Sequence, residues 1–170
     1  QEILPPSHPM VGNSLRNLAN LYRLWGDYQQ SEAFFLQALE IFEQTFGAEH
    51  PEVAQSFYNL ANFYRTQNDN VKALSFYQKA LTSWEILLGT EHPDVAITLA
   101  DLSDVYRKQQ NYPLAEQSIQ RALTIQKDVF GTENRVYAES LSHLAKLRQA
   151  QGSFAEAEQL YQEVLSIRNQ

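Results

Sequence analysis

Residues 47–64 read GAEHPEVAQSFYNLANFY and residues 89–106 read GTEHPDVAITLADLSDVY, so a Gly-x-Glu-His-Pro-x-Val-Ala entry, then Leu and Tyr, returns after 42 positions. Working outward, Gly47, Gly89 and Gly131 keep that interval, as do His8-Pro9, His50-Pro51 and His92-Pro93, with Asn134-Arg135 in the fourth slot. Leu18-Ala19, Leu60-Ala61, Leu102-Ser103 and Leu144-Ala145 follow, then Tyr22, Tyr64, Tyr106 and, departing, Arg148. A second block gives Ala38-Leu39, Ala80-Leu81, Ala122-Leu123 and Val164-Leu165. Self-similarity at one fixed period marks a repeat architecture, in which each copy buries its apolar face on its neighbours.

Each copy spells two helices. Proline suits the first helical position, where a backbone N–H would have no intrahelical partner. Glu52 and Asp94 follow it and complement the positive end of the helix dipole. In the first copy Leu15, Leu18, Ala19, Leu21, Tyr22 and Trp25 have the spacing of one buried helical face. The first helices end near Gly26-Asp27, Asn68-Asp69, Gln110-Asn111 and Gly152-Ser153, where Gly and Asn tolerate a left-handed turn. The second helix runs from about Tyr28 to Phe46 and stops before Gly47; Pro113 falls in the first turn of its third-copy equivalent.

The predicted fold is all-α: a right-handed α–α superhelix (solenoid) of four helical hairpin repeats. The repeats lie at approximately 9–50, 51–92, 93–134 and 135–170, in one array over residues 1–170. Leu4 stands 42 positions before Phe46, so residues 1–8 read as the tail of a preceding repeat in a longer register. At the other end Leu160, Tyr161, Val164, Leu165 and Ile167 form an apolar face on the last helix, with no polar capping helix after it. A homo-oligomer formed through that helix is therefore a second expectation.

Composition narrows the function classes. Thirteen Lys+Arg against twenty Asp+Glu give a net charge of −7, and an acidic surface repels phosphate, which argues against a nucleic-acid partner. No window approaches the roughly 18 apolar residues of a membrane span, and no basic-then-apolar leader opens the sequence. No membrane partner and a cytoplasmic location are expected. The absence of Cys excludes disulfides and thiolate zinc sites. His8, His50 and His92 belong to different repeats, stacked roughly 10 Å apart, whereas zinc takes His nitrogens at about 2.1 Å. They read as helix-entry residues, and no metal is expected. The chain has no Gly-x-x-x-x-Gly-Lys-Ser/Thr loop, no Gly-x-Ser-x-Gly elbow and no His-Glu-x-x-His, so neither a cofactor nor an enzymatic activity is expected.

The pattern Leu-Ala/Ser…Tyr…Gly/Asn…Ala…Tyr…Ala-Leu resembles the tetratricopeptide repeat. In that motif small residues let helices approach closely. Here they are Ala19, Ala61, Ser103 and Ala145 in the first helices; in the second they are Ser31, Ala73, Ala115 and Ala157, then Ala38, Ala80, Ala122 and Val164. The usual repeat has ~34 residues. The longer period of 42, with Gly-x-Glu-His-Pro-x-Val-Ala and Asn-Leu-Ala-x-x-Tyr-Arg, is similar to the repeats of kinesin light chains.

The resemblance implies a non-catalytic protein-interaction scaffold with a concave groove, lined by a polar stripe on each first helix. Copy one offers Asn13, Arg16, Asn17, Asn20, Arg23 and Leu24, and copy two Gln55, Tyr58, Asn59, Asn62, Arg65 and Thr66. Copy three offers Ile97, Ala100, Asp101, Asp104, Arg107 and Lys108, and copy four Glu139, Ser142, His143, Lys146, Gln149 and Ala150. These 24 positions carry six cations and three anions, a net +3, which leaves −10 for the rest. The first two copies contribute no acid to that set. A positive groove on an acidic body favours acidic peptide partners.

Asn17, Asn20, Asn59 and Asn62 would serve as a ladder for an extended peptide backbone, since an amide both donates and accepts. Arg23, Arg65 and Arg107 would grip carboxylates in parallel. The same polar residues would equally solvate an exposed helix face. A carboxylate clamp of the kind that holds chaperone tails is not expected, because its cation slots carry Asn13, Gln55, Ile97 and Asp101. A structural or regulatory repeat segment of a larger signalling protein is the alternative to the peptide-binding reading.

Overall fold

The computed structural model describes residues 8–169. Among them are eight helices and no strand: α1 (Pro9–Trp25), α2 (Tyr28–Phe46), α3 (Pro51–Thr66), α4 (Asn70–Leu88), α5 (Pro93–Lys108), α6 (Tyr112–Phe130), α7 (Arg135–Ala150) and α8 (Phe154–Arg168). The expected tail of a preceding repeat lies, save His8, outside the described residues.

Seven of the eight helix starts have a side-chain cap; α8, after Ser153, has none. Proline opens α1, α3 and α5, and the imidazole before it caps the helix. Nδ1 of His8, His50 and His92 accepts the backbone N–H of Met10, Glu52 and Asp94, each at 3.2 Å. Asn134 does the same for α7, its Oδ1 lying 2.8 Å from the Val136 nitrogen. Asp27, Asp69 and Asn111 cap the second helices by accepting from Gln30, Lys72 and Leu114. Between the helices of each hairpin one residue is left-handed: Gly26 at φ 83°, Asn68 at 58°, Gln110 at 60° and Gly152 at 83°. Glycine and asparagine take that conformation readily, glutamine does not.

The chain parts into two compact units, Gln1–Leu87 and Leu88–Gln170. In the first, α1 packs on α2 and α2 on α3. The Tyr28 and Phe35 rings meet Phe63 at 6.5 and 5.8 Å. Phe42 is fully buried beneath Gly12, where a Cβ would stand 2.8 Å from the ring. Aromatic contacts join α3 to α4, with Tyr64 stacked on Phe76 at 5.5 Å and Phe57 against Phe76 at 6.3 Å. The Tyr64 hydroxyl donates to Glu32 at 2.6 Å. Burial, then the Glu32 carboxylate, pushes that hydroxyl well above the usual tyrosine range.

In the second unit α6 packs on both α5 and α7, and α7 on α8. Ile119, Leu123, Ile125, Leu144 and Leu147 fill the interior. Arg148 takes the register place of Tyr64 and forks onto Glu116, with Nη2 2.8 Å from Oε1.

All twelve small positions singled out by the repeat are buried. Two other expectations need correction. The first-copy set Leu15 to Trp25 is not one buried face: Ala19 is buried, but Leu18, Leu21 and Trp25 are exposed. The reason is positional. In the second copy α2 lies against α3, whereas no described element precedes α1 to cover it. On α8, Val164 turns inward and is buried, so the apolar face narrows to Leu165 with the half-buried Leu160, Tyr161 and Ile167.

Candidate functional site

The polar stripe of the first unit lines two adjoining pockets that share Asn20 and Asn59. One, of about 460 Å³, is bounded by Arg16, Asn20, Pro51, Glu52, Gln55, Asn59 and Trp84. The other, of about 310 Å³, is bounded by Asn20, Arg23, Phe35, Asn59, Asn62, Phe63, Arg65 and Thr66. Helical spacing brings Asn20 and Arg23 to one face of α1, and Asn59, Asn62 and Arg65 to one face of α3.

The charges in the first pocket are spent internally. Arg16 reaches Glu52 Oε2 at 2.6 Å and Asn13 Oδ1 at 2.6 Å. Glu52, placed by the sequence at the helix dipole, therefore also stands in the groove. This corrects the expectation that the first two copies carry no groove acid, and lowers the positive charge of that face by one.

The two shared amides differ in what they leave open. Asn20 donates from Nδ2 to the Arg16 carbonyl at 3.1 Å, which leaves its Oδ1 as an acceptor. Asn59 accepts from Gln55 Nε2 at 3.0 Å, which leaves its Nδ2 as a donor. Together they match the N–H and C=O of a peptide backbone. Asn62 is engaged at both ends: Nδ2 donates to the Tyr58 carbonyl, and Oδ1 accepts from Arg65 and from the Tyr77 hydroxyl at 2.8 Å. Asn17 is exposed and lies outside both pockets. The ladder of four reduces to Asn20 and Asn59.

The arginine ladder divides in the same way. Arg65 donates from Nε to the Tyr77 hydroxyl at 3.0 Å and from Nη2 to Asn62 at 3.0 Å. Forty-two positions earlier Tyr77 is replaced by Phe35, which has no hydroxyl to offer Arg23. Arg23 is half-buried in the second pocket and, among the described residues, has no ion-pair or hydrogen-bond partner. Tyr58 packs edge-on against Tyr77 at 5.9 Å and helps fix that hydroxyl.

In the second unit Arg107 is held by Asp104, with Nη2 at 2.6 Å and Nε at 3.1 Å from Oδ1, and Lys108 adds a contact at 3.7 Å. Burial, the largest single influence, pushes the Asp104 carboxyl up. The Arg107 hydrogen bond and the charges of Arg107, His143 and Lys108 outweigh it and hold the group below the usual range. Asp101 and His143 are half-buried on α5 and α7, and Lys146 is exposed. Asp104 thus neutralises part of the positive charge of Arg107 and Lys108. Spacing along the stripe could not show the pairings of Arg16 and Arg65, because Glu52 and Tyr77 come from outside it.

The tetratricopeptide repeat family model matches residues 1–44, 10–85, 52–128 and 94–170, which together span the sequence. The chain belongs to the tetratricopeptide repeat family. Among solved structures, BtubC (BKLC) from P. vanneervenii matches this tetratricopeptide chain at 23% identity and a TM-score of 0.83, covering 99% of this chain and 66% of that one. The chain thus spans just under two thirds of BtubC. The crystal structure of "Podosopora anserina putative kinesin light chain nearly identical TPR-like repeats" matches at 25% identity and a TM-score of 0.77, covering 97% of this chain and 78% of that one. A single-residue variant of it has a TM-score of 0.80. No curated protein matches. The neighbours are kinesin light chain-like, and the fold is theirs: an α-solenoid of four helical hairpins. Tetratricopeptide repeats generally serve as protein-interaction scaffolds and are typically non-catalytic. Among the described residues no helix is long and apolar enough to cross a membrane.

Proposed function

We propose that the chain is one array that binds a peptide segment of a partner protein along the α1–α3 face, and that an acidic residue of that peptide docks on Arg23. The observation that carries the reading is Arg23 itself, a half-buried guanidinium without a partner among the described residues, beside two amides with complementary open valences. An extended peptide would donate to Asn20 Oδ1, accept from Asn59 Nδ2 and set a carboxylate in the second pocket. Arg16 and Arg65 keep their present partners and shape the walls. The chemistry is recognition, with no bond made or broken, in a cytoplasmic setting.

The test compares retention of a Glu/Asp-rich peptide pool with its Gln/Asn counterpart on immobilised protein. Wild type should favour the acidic pool, and Arg23→Glu should lower that retention roughly tenfold. Equal retention of both pools by wild type would remove the acidic reading. A structural segment of a larger signalling protein, which would retain neither pool, is the competing outcome.

A further inference from the structure

A set of three side chains recurs at the 42-residue interval: a groove residue, the groove arginine after it, and a residue of the second helix. In copy two the set is Asn62, Arg65 and Tyr77, and the Tyr77 hydroxyl joins the other two. It donates to Asn62 Oδ1 at 2.8 Å and accepts from Arg65 Nε at 3.0 Å. In copy three the set is Asp104, Arg107 and Ile119, and the carboxylate does the work of the hydroxyl, with Oδ1 3.1 Å from Arg107 Nε. In copy one the set is Asn20, Arg23 and Phe35. The aromatic ring is kept there, and its oxygen is not.

The missing oxygen leaves two matched openings. Asn20 turns its Nδ2 to the Arg16 carbonyl, so Oδ1 stays an acceptor. Arg23 is a half-buried donor with no partner among the described residues. Phe35, 3% exposed, lines the second pocket together with both. A group that satisfies this corner must donate and accept at once. A carboxylate only accepts, an ammonium only donates, and an aliphatic side chain does neither. An amide does both from two separate atoms, whereas Tyr77 does both from one oxygen, as any hydroxyl can. A phenol is a poor carrier, because the Phe35 and Phe63 rings already wall this pocket.

We propose that the peptide site also reads a Ser or Thr hydroxyl next to the acidic residue: the hydroxyl donates to Asn20 Oδ1 and accepts from Arg23 Nε. This rests on the reading of Arg23 as the residue that docks a peptide carboxylate. The two demands on Arg23 are compatible, since Nε takes the hydroxyl and the paired Nη groups stay for the carboxylate. Asn20 Oδ1 likewise has two lone pairs, one for the hydroxyl and one for a peptide N–H. Asn62 Oδ1 already accepts twice in this way, from Arg65 and from Tyr77. Alternate residues of an extended chain share a face, so the hydroxyl residue stands two positions from the acid.

Synthetic peptides built on repeats of Glu-Ala-Thr-Ala, Glu-Ala-Val-Ala and Gln-Ala-Thr-Ala test this by fluorescence anisotropy. Val has the shape of Thr without the hydroxyl, and each repeat sets the two key residues two positions apart in both directions. Wild type should bind the Thr form roughly threefold to tenfold more tightly than the Val form. In Phe35→Tyr, which supplies the hydroxyl internally, the Thr and Val forms should bind alike, with circular dichroism confirming that the variant is folded. Equal binding of the Thr and Val forms by wild type, with Glu still preferred to Gln, overturns the hydroxyl assignment and leaves the acidic reading standing; water then fills the corner. No preference for Glu over Gln overturns both. A Thr preference that survives Phe35→Tyr undiminished also overturns the assignment, because the hydroxyl is then read elsewhere.

Discussion

Arg148 and Glu116 form a forked ion pair at the α6–α7 junction, at the register place where the Tyr64 hydroxyl donates to Glu32 between α2 and α3. The departure from tyrosine at position 148 is thus a change of donor toward an acceptor that stays put. A third partner, Glu156, stands 2.9 Å from Arg148 Nε.

Glu116→Gln should lower stability at neutral pH by about 1 kcal/mol, since the pair is charge-assisted and partly shielded from water. The Arg148 hydrogen bond is the largest influence on Glu116 and, against burial, holds its carboxyl below the usual range. A depressed folded-state value means that the stabilisation is present above the ordinary carboxylate range and is lost as pH falls through the lower one. The gap between wild type and variant should therefore narrow below about pH 4. Urea denaturation at pH 7 and pH 3 measures it, and a gap independent of pH contradicts an ionic origin.

Phe35→Tyr should weaken acidic-peptide binding without removing charge. The added hydroxyl would stand toward Arg23 as Tyr77 stands toward Arg65, giving that guanidinium an internal partner. A fall of roughly threefold to tenfold in affinity is expected. Unchanged binding, measured by fluorescence anisotropy, would mean that the open valence of Arg23 is not what the peptide reads.

Gly12→Ala should cost about 1–3 kcal/mol, the range for overpacking a core. The new Cβ would meet Phe42 Cε1 at 2.8 Å and Cζ at 2.9 Å, and that ring is fully buried, so it must shift within the core. Adding Phe42→Leu should recover part of the loss, so the two changes are not additive. Thermal melts of the single and double variants decide it.

Gln126 is 1% exposed, and neither end of its amide has a hydrogen-bond partner among the described residues. Its register counterparts are Phe42 and Trp84, both buried. Gln126→Met keeps the length and removes the unsatisfied amide, and should raise stability by about 1–3 kcal/mol. A lower melting temperature would show that the amide is satisfied in solution.

Gln110→Gly should raise stability by about 1 kcal/mol, because a side chain at φ 60° carries the left-handed penalty that glycine escapes. A shift in the urea midpoint with unchanged slope is the expected signature.

The fold was legible because its punctuation acts locally. Proline, the imidazole caps and the residues at left-handed turns each fix a helix end within a few positions, and the period of 42 repeats them. Burial of the small residues followed for the same reason. The groove was legible as a face and not as a set of bonds. Whether an arginine is open depends on a residue twelve positions further on, Tyr77 for Arg65 and Phe35 for Arg23, across a helix–helix contact that periodicity does not describe. Glu52 was visible in the sequence, but its dipole role gave no hint that Arg16 would reach it from the preceding repeat. The exposure of Leu18 and Leu21 was hidden because spacing reports which residues share a face and says nothing of whether a neighbour arrives.

The imidazole caps also make the protein its own spectroscopic instrument. Because Nδ1 of His8, His50 and His92 accepts a backbone N–H, the proton of each neutral ring must reside on Nε2. A helix start that frays releases its ring to sample the other tautomer, while the rest stay locked. The nitrogen resonances of these three side chains therefore report, without any label engineered in, the local melting of three successive hairpins one at a time.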